Sequence, residues 1–487
     1  MWLLPLPDQI EVLLYAAFIV PIIGAAIGKE GARVGGCVAS SVAFAASFYI
    51  TFAQFSVGLT ASISVAQPPD TSIIVLDRFS NFVSLVVLGI SLLATIYAVS
   101  YVRERHTEFY TLVLLLAMGM LGVFYAGDVI AFFVFWEVMS VASYLLVAFN
   151  YREWEAVEAS LKYLIMSSTG SAALLFGISL LYGLTGELTF TGLRSALTSG
   201  PIVSETWTII SVALVLAGLG VNVALAPFHF WLPDAHPAAP SPVSALLSGV
   251  VIKTGVYAML RLLLNIFPTE AYGWQLGVLL LSLVTMSVGN LMAALQEDIK
   301  RLLAFSSIAN IGYIAFGMSI GNELGAVGAL LHLLNHAVAK ALLFLAAGSF
   351  IHTFHTRNLD ELAGAGKLMP LSGVTYTVGA LSLAGMPGLN AFVSEYVIIA
   401  AAFQSPFWPF AIVMIVNVLI GAMYHMRVVQ TLFLKSPSNG RTAVREAAFP
   451  MLLALIALTA AAIIIGILPA PFLGAAQEAI QFVRLRG

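Results

Sequence analysis

Hydrophobic positions in this chain fall into long unbroken runs rather than into short alternating segments. Runs of about 20 apolar residues recur from end to end, and each is long enough to cross a hydrocarbon core of about 30 Å as a helix. The pattern predicts an all-α polytopic membrane protein with about fourteen transmembrane helices. They are placed at roughly 10–28, 34–55, 79–101, 109–126, 129–149, 158–185, 205–226, 244–266, 274–295, 302–320, 323–350, 371–403, 408–433 and 447–470.

Two of these predicted helices contain helix-breaking residues. The seventh runs into ALAPFHFWLPDAHPAAPSPV (224–243), and the twelfth contains SLAGMPGLNAFVSEY (382–396), broken at Pro387 and Gly388. Proline kinks alone are tolerated in membrane helices. Five helices separate the two breaks, however, so a five-helix unit can occur twice, and its odd helix number inverts the second copy.

We therefore expect four regions along the chain. They are 1–108 with the first three helices, 109–266 as the first five-helix repeat, 267–433 as the second, and 434–487 with the last helix. Inverted repeats with broken helices at matching places are typical of proteins that carry an ion or substrate path near the bilayer midplane.

Composition agrees with a membrane protein and limits its chemistry. Sixty per cent of the residues are hydrophobic and nine per cent are charged, far from the values of soluble domains, and a net charge of −3 does not indicate a nucleic-acid partner. The longest stretch outside the predicted helices, 56–78, has room only for a surface hairpin or loop. We expect no cofactor in this chain, so any redox chemistry belongs to a partner.

Basic residues are distributed unevenly between the loops. Most loop Lys and Arg residues, among them Arg103, Arg105 and Arg357, follow odd-numbered predicted helices, whereas Arg78 and Arg194 follow even-numbered ones. The positive-inside rule then places both termini on the outer face. We expect a multi-pass protein of the cell (inner) membrane of a prokaryote.

Ionisable residues within the apolar runs are candidates for function, because each costs a few kcal/mol to place at mid-bilayer. Glu137 lies in the middle of the fifth predicted helix, Lys253 in the middle of the eighth, and Lys162 toward the inner end of the sixth. Arg261 and Arg427 lie toward helix ends, where long side chains reach the interface, and are interpreted as anchors.

The eleventh predicted helix carries a polar stripe. His332, His336 and Lys340 recur at intervals of four residues and share one helix face, and Glu395 follows the break in the twelfth. Acid, lysine and histidine on successive helices are the groups of a proton relay. A static buried ion pair at Glu137 and a metal site on the histidine pair are the alternatives, although no third metal ligand is evident.

Six stretches of the sequence resemble one family. They are FFVFWEVMSVASYLLVAF (132–149), EASLKYLIMSSTGSAALLFGISLLYGLTG (158–186), APFHFWLPDAHPAAPSPVSALLSGVVIKTGVYAMLR (226–261), QEDIKRLLAFSSIANIGY (296–313), LLHLLNHAVAKALLFLAAG (330–348) and AGMPGLNAFVSEY (384–396). The family is the antiporter-like, proton-translocating membrane subunits of respiratory complex I. Its relatives occur in membrane-bound group 4 nickel–iron hydrogenases, formate hydrogenlyases and multisubunit sodium/proton antiporters, and the resemblance covers nearly the whole chain.

The resemblance implies a proton route along the midplane, with Glu137 as the acid of the fifth helix and Lys253 as the central lysine. His332, His336 and Lys340 would connect this lysine to Glu395 as the terminal group. The family also has a lysine in the seventh helix, where this chain has Asn222. An amide cannot supply a counter-charge or carry a proton, so we expect Lys162 first, or Lys253, to be the partner of Glu137.

The sequence therefore predicts a proton-translocating subunit of a complex I-like or hydrogenase-like redox-driven pump, itself without a catalytic centre. Its expected partners are other membrane subunits, peripheral redox subunits and protons. The alternatives are a subunit of a sodium/proton antiporter without a redox partner, for which sodium is a second transported ion, and a structural subunit in which Asn222 marks a lost pump.

Overall fold

The computed structural model describes residues 6–64, 72–199, 204–267, 273–437 and 444–486. Helices dominate it, and two short strands, β1 (Ala61–Ser64) and β2 (Ser72–Leu76), form an antiparallel hairpin. The described α-helices are α1 (Asp8–Ser56), α2 (Arg78–Tyr101), α3 (His106–Tyr125), α4 (Val129–Val147), α5 (Trp154–Thr185), α6 (Phe190–Ser199), α7 (Glu205–Val223), α8 (Leu232–Ala238), α9 (Ser241–Leu246), α10 (Ile252–Asn265), α11 (Trp274–Ala294), α12 (Ile299–Ser319), α13 (Glu323–Phe354), α14 (Ala365–Leu368), α15 (Pro370–Leu383), α16 (Asn390–Phe403), α17 (Trp408–Phe433), α18 (Phe449–Ile467) and α19 (Ala470–Arg486).

The predicted membrane-spanning character is confirmed. Among the described residues, twelve helices are long and apolar enough to cross a membrane. The helices α4 and α9 are extended at one end by the 3₁₀ turn Ala148–Asn150 and by the π-helical turn Leu247–Val251. The count of fourteen and the inverted repeats stay predictions.

The first helix comprises two predicted spans. Its backbone leaves helical geometry at Gly28 (φ 74°, ψ −172°), a conformation that glycine adopts readily because it has no Cβ. The two halves then fold back on one another, since Gln9 Nε2 donates to Gln54 Oε1 over 3.0 Å and Ser47 Oγ donates to the Gln9 carbonyl over 3.1 Å. The predicted hairpin or loop at 56–78 is present as β1 and β2, with 65–71 outside the described residues.

Both predicted helix breaks are present. After α7 the chain turns at Ala224 (φ 60°), whose N–H donates to the Val221 carbonyl over 3.1 Å, and the indole of Trp231 donates to the same carbonyl over 2.7 Å. Between α15 and α16 the turn uses Gly385 (φ 73°) and Gly388 (φ 88°). These contacts satisfy backbone groups that lipid cannot, which is the condition for irregular backbone at membrane depth.

The second break is fastened to the long helix α13. Asn335 Nδ2 donates to the Asn390 carbonyl over 2.7 Å, and Asn390 Nδ2 donates to the Asn335 carbonyl over 2.9 Å. This reciprocal pair holds the start of α16 against the middle of α13. Because α13 and α16 carry predicted relay residues, the pair fixes where those residues meet.

Candidate functional site

A stripe of ionisable side chains along α13 forms the centre of the candidate site. His332, His336 and Lys340 are each fully buried, as the spacing of four residues on one helix face predicts. The two imidazole rings stack with centroids 6.0 Å apart and planes 13° from parallel. The stripe therefore faces protein along its whole length rather than lipid.

Lys253 reaches this stripe from a distorted helix. It follows the π-helical turn Leu247–Val251, a form that is rare and occurs often at functional sites. The Lys253 ammonium donates to the Ser248 carbonyl within that turn. Lys253 itself is 1% exposed, so the lysine lies buried among backbone and hydroxyl groups.

Two serines join Lys253 to Lys340. The Ser248 hydroxyl lies 2.7 Å from the hydroxyl of Ser307 on α12, and Ser307 Oγ donates to the Leu303 carbonyl over 2.9 Å. Lys340 Nζ donates to the same Leu303 carbonyl over 3.0 Å. A run of polar atoms at hydrogen-bonding distance thus connects the two lysines across three helices.

The stripe continues from His332 to α16. One ring nitrogen of His332, Nδ1, lies 2.9 Å from the Ser394 hydroxyl, and the other, Nε2, lies 3.1 Å from Asn310 Oδ1. Ser394 precedes Glu395, which is 3% exposed and places Oε2 3.1 Å from where a Cβ on Gly385 would stand. A side chain at Gly385 would crowd this carboxylate, so the broken backbone makes room for the acid.

His336 has a different setting from His332. Neither ring nitrogen of His336 has a hydrogen-bond partner among the described residues. Lys253, Lys340 and His425 are the nearby cationic or titratable groups, besides His332. In the ranges that the structure describes, no three His, Cys, Asp or Glu residues are placed to hold a metal ion.

The site around Glu137 is less enclosed. Glu137 is half-buried on α4, and it makes no ion pair with any residue in the described part of the chain. Asn222, at the position where the family has a lysine, is 5% exposed and accepts a 2.9 Å hydrogen bond from Ser167 Oγ on α5. Tyr144 lies near Ser167 and Glu137 and completes a polar group of uncharged side chains.

The predicted pairing of Lys162 with Glu137 is wrong. Lys162 is exposed, and its ammonium pairs with Glu158 at 2.9 Å and with Asp234 at 3.0 Å. Glu158 lies one helical turn earlier on α5, near the start of that helix, and Asp234 lies in α8. The Lys162 ammonium is therefore held near the start of α5 and not at Glu137. Lys253, the second choice, is directed to Ser248 instead. Lys162 as a member of the proton path stays a prediction.

Arg261 also departs from expectation. Predicted as an interfacial anchor, it is buried and forms an ion pair with Asp77, whose side chain is 2% exposed and also caps the N-terminus of α2. Arg427 does behave as an exposed helix-end group, donating to the carbonyls of Ala294 and Gln296 over 2.9 and 2.6 Å. A buried acid and a capping position together explain why Arg261 turns inward.

Two buried groups near the site were not predicted from sequence. Lys300, which the predicted helix bounds leave in a loop, lies in the first turn of α12, is 3% exposed and donates to the Ala239 carbonyl over 2.6 Å. His236 is fully buried in α8 and stacks on Phe344 with ring centroids 4.5 Å apart. Its position in the Pro-rich break was the only sequence signal for it.

A cavity of about 940 Å³ opens above Lys300 on the side where the basic loops gather. Its lining includes Arg103, Arg105, Arg152 and Arg357 from three loop regions, together with Lys300. Arg357 is held there by Glu155 at 2.9 Å and Asp298 at 3.1 Å. The cavity therefore opens on the face that carries most of the loop arginines, and it extends to the buried Lys300.

Comparison with known proteins places this chain and its fold in a class. The family described as NADH:quinone oxidoreductase/Mrp antiporter, transmembrane, matches residues 126–421, more than half of the chain. The chain belongs to this family of antiporter-like membrane subunits, as the resemblance predicted. The matched range contains all of the predicted site residues.

Individual relatives are similar over nearly the full length. F(420)H(2) dehydrogenase subunit N of Methanosarcina mazei is 31% identical over 482 residues, covering 96% of each chain. NADH-quinone oxidoreductase subunit N of Desulforudis audaxviator is 34% identical over 398 residues, covering 79% of this chain and 77% of the relative. Both relatives are, by name, subunits N of redox enzymes.

Solved structures agree on the fold. A chain of the membrane-bound sulfane sulfur reductase, an archaeal respiratory membrane complex, superposes with a TM-score of 0.90 at 29% identity and covers 98% of this chain and 97% of that one. A chain of the Mrp complex from Dietzia reaches a TM-score of 0.88 at 24% identity, with 98% of each chain covered. The second similarity concerns the fold alone.

Proposed function

We propose that this chain is a proton-translocating subunit of a redox-driven membrane complex, and that protons move between Lys253 and Glu395. The observation that carries the proposal is the buried hydrogen-bonded run from Lys253 through Ser248 and Ser307 to Lys340. A static ion pair needs one acid and one base in contact. Two lysines that share a polar bridge are instead suited to exchanging a proton.

The bridging groups have the right chemistry for transfer. A serine hydroxyl both donates and accepts a hydrogen bond, and the Ser248–Ser307 hydroxyl pair lies between the carbonyls of Ser248 and Leu303 to which the two lysines donate. Because a carbonyl only accepts, transfer between each ammonium and the neighbouring hydroxyl requires the lysine side chain to rotate from its carbonyl to that hydroxyl. Imidazole also donates and accepts through its two ring nitrogens, and His332 already contacts Asn310 and Ser394 through them. Ser394 is followed in α16 by Glu395, the terminal carboxylate of the proposed path.

Electrostatic coupling drives the movement. Positive charges on Lys253 and Lys340 repel each other in a medium of low dielectric constant, so a proton arriving at one favours departure from the other. The positive charges of Lys253 and Lys340 also repel a proton on His336, because both lysines lie near this imidazole. A change of charge at one end of the row is thereby felt at the other without a large movement of helices.

The inner cavity supplies the entrance. Lys300 is part of its lining, and the buried imidazole of His236 interacts electrostatically with Lys300, Lys340 and Lys253. Carboxylates of Glu104, Glu153 and Glu155 in the cavity wall collect protons from solvent. We place proton uptake here and the first transfer at Lys300.

Electron transfer takes place in partner subunits, and this chain itself carries no cofactor in our proposal. The relatives named as subunits N of NADH-quinone oxidoreductase and F(420)H(2) dehydrogenase support peripheral redox partners beside other membrane subunits. Their archaeal and bacterial sources support the cell membrane of a prokaryote. A sodium/proton antiporter subunit is the weaker alternative, because its support is the fold shared with the Mrp complex.

The test is reconstitution of the purified complex in proteoliposomes with proton and sodium movement followed separately. We expect proton movement that starts on addition of an electron donor, stops when the donor is exhausted and does not depend on sodium. Proton movement that requires sodium and no electron donor would overturn the proposal in favour of the antiporter.

A further inference from the structure

Polar residues, most of them buried, also line the first three membrane spans, away from the relay. On the second half of α1 and on α2 they recur every three or four residues, so each set lies on one helix face. We call these residues the N-terminal track: Arg33, Cys37, Ser40, Ser47, Thr51 and Gln54 on α1, and Asp77, Asn81, Ser84, Ser91 and Thr95 at the start of and along α2.

The two faces lie side by side in register. The second half of α1 and α2 are joined by the β1–β2 hairpin and run antiparallel, and Cys37 Sγ lies 3.7 Å from the Thr95 carbonyl. The rise per residue is the same in both helices. Moving forward along α1 from Cys37 and backward along α2 from Thr95 by similar numbers of residues therefore reaches pairs at about the same depth. These pairs are Ser40 with Ser91, Phe44 with Leu88, Ser47 with Ser84, and Thr51 with Asn81.

The outer half of the track is a polar cluster around a tyrosine of α3. Tyr125 donates from its hydroxyl to Asn81 Oδ1 over 3.0 Å, and the side chains of Gln9, Thr51 and Ser84 also face that hydroxyl. Gln9 bonds to Gln54 at the helix ends. These amides and the phenol are too large and too polar to be explained as small residues that let helices approach.

The inner half has the same character. Cys37 lies near Ser41 at 3.9 Å and beside the hydroxyl of Tyr110 on α3. Further toward the inner face lie Arg33 and His106, which face one another across the α1–α3 contact. Polar side chains thus reach from the inner end of the bundle to Ser40 and Ser91.

Many track atoms lack a protein partner. Across the parts of the chain that the structure describes, five fully buried groups on α1 and α2 make no hydrogen bond to protein: Ser40 Oγ, Asn81 Nδ2, Ser84 Oγ, Ser91 Oγ and Thr95 Oγ1. The buried hydroxyl of Tyr110 on α3 likewise makes no hydrogen bond to protein within the described residues. Buried polar groups in native proteins are satisfied by protein or by ordered water, so this spacing is suited to binding a file of water.

One layer interrupts the track at its middle. Phe44 and Leu88 occupy the next positions of the two stripes, are fully buried and stand at the same depth. An apolar constriction between two hydrated segments stops conduction because water leaves it readily. The layer separates an inner segment with five track residues from an outer segment that ends at Asp77.

We propose that α1, α2 and α3 hold a second, water-filled proton path in two halves, closed at mid-membrane by Phe44 and Leu88. The path is independent of the relay on α10, α12, α13 and α16, and its ligand is the proton carried on water. Its outer end is Asp77, which is paired with Arg261 on the helix that carries Lys253. Through this ion pair, a change in the charge of Lys253 on α10 can affect Asp77 at the outer end of the closed path.

The first experiment opens the layer in the intact complex. Phe44→Ala combined with Leu88→Ser is reconstituted in proteoliposomes, and proton leak under an imposed potassium diffusion potential is measured without electron donor. We expect the leak to rise roughly tenfold, since a polar constriction stays wet. Val87→Ser, at the same depth on another face of α2, is the control and leaves the membrane tight.

Adding Asn81→Leu and Ser84→Leu to the open variant should close it again. An unchanged leak in the open variant, or an equal leak in the Val87→Ser control, overturns the proposal. Because the assay omits the donor, its outcome is separate from that of redox-driven pumping. If the Phe44/Leu88 variant leaks protons as expected but the native complex does not pump, the result counts against the proposed function alone.

The second experiment needs no destabilising substitution. Cys37 is the single cysteine of the chain, and its labelling in the native complex by a small charged thiol reagent is read on this chain by mass spectrometry. We expect labelling from the inner side only, and labelling of Ser84→Cys in a Cys37→Ser background from the outer side only. Absence of labelling at both positions in the folded complex would show a dry interface and overturn the proposal.

Discussion

The two predicted five-helix regions carry different arrangements of the same residue types. In the second, Lys340, His332 and Glu395 are buried, and hydrogen bonds tie Lys340 to the Leu303 carbonyl and His332 to Ser394 and Asn310. In the first, Glu137 is half-buried without an ion pair in the described part of the chain, and Asn222 is neutral. The comparison teaches that a charged residue in a membrane helix indicates a candidate proton-transfer site. The contacts around that residue decide whether a proton can pass to the next group.

The largest expected difference concerns the two acids. Glu395→Gln should lower donor-driven proton movement about tenfold, because the terminal group of the connected row can no longer ionise. Glu137→Gln should lower it only about two- to threefold, because its surroundings lack a charged partner to pass a proton to. Proton movement per unit of electron transfer is measured for both in proteoliposomes, and equal losses would remove the distinction between the halves.

Breaking the serine bridge tests the connection itself. Ser248→Ala with Ser307→Ala removes both hydroxyls between Lys253 and Lys340, and should slow proton movement about fivefold while costing about 1–2 kcal/mol of stability. Ser349→Ala removes an equally buried hydroxyl that bonds only to Tyr97 and its own helix. Similar pumping in the double variant and in this control would show that the bridge is structural.

Replacing the amide of the first half by a cation should sharpen the comparison. Asn222→Lys places an ammonium beside Ser167, where it can pair with Glu137. We expect about a twofold change in pumping, and Glu137→Gln should then cost more in this background than in the native chain, because the acid has gained a partner. Asn222→Leu, which is uncharged, is the control, and a double-mutant cycle without coupling would contradict the pairing.

The smallest effect is expected at Lys162. Its ammonium is exposed and bound to Glu158 and Asp234, and exposed ion pairs contribute about 0–1 kcal/mol. Lys162→Met should therefore change pumping less than about twofold, with Lys367→Met at another exposed site as the reference. A loss as large as that of Glu395→Gln would restore Lys162 to the proton path.

Much of the second half could be predicted because its signals are periodic. Three ionisable residues at intervals of four in an apolar helix predict one polar helix face turned away from lipid, and Pro387 with Gly388 marks the break that positions Glu395. The π-helical turn at Ser248 has no comparable pattern, so the bridge between the lysines was invisible in the sequence. Lys300 was missed because its helix begins one residue before it, among residues that resemble a loop.

Side-chain partners were the least predictable feature. Lys162 has a long flexible stem, and nothing in its neighbourhood along the chain distinguishes Glu137 from Asp234, which is 72 residues away and meets it only through the fold. The same holds for Arg261 and Asp77, 184 residues apart. Helix patterns predict which face is polar, whereas the choice among distant partners depends on how the helices pack.

The central claim is that protons driven by electron transfer pass through the buried row, and Lys340→Met tests it most directly. Methionine keeps the length and much of the volume of the side chain while removing the proton-carrying amine. Protons moved per electron are measured in proteoliposomes of the intact complex, with assembly verified. The account predicts that this ratio falls by about tenfold relative to the native complex; a ratio equal to the native one in the assembled variant would contradict it.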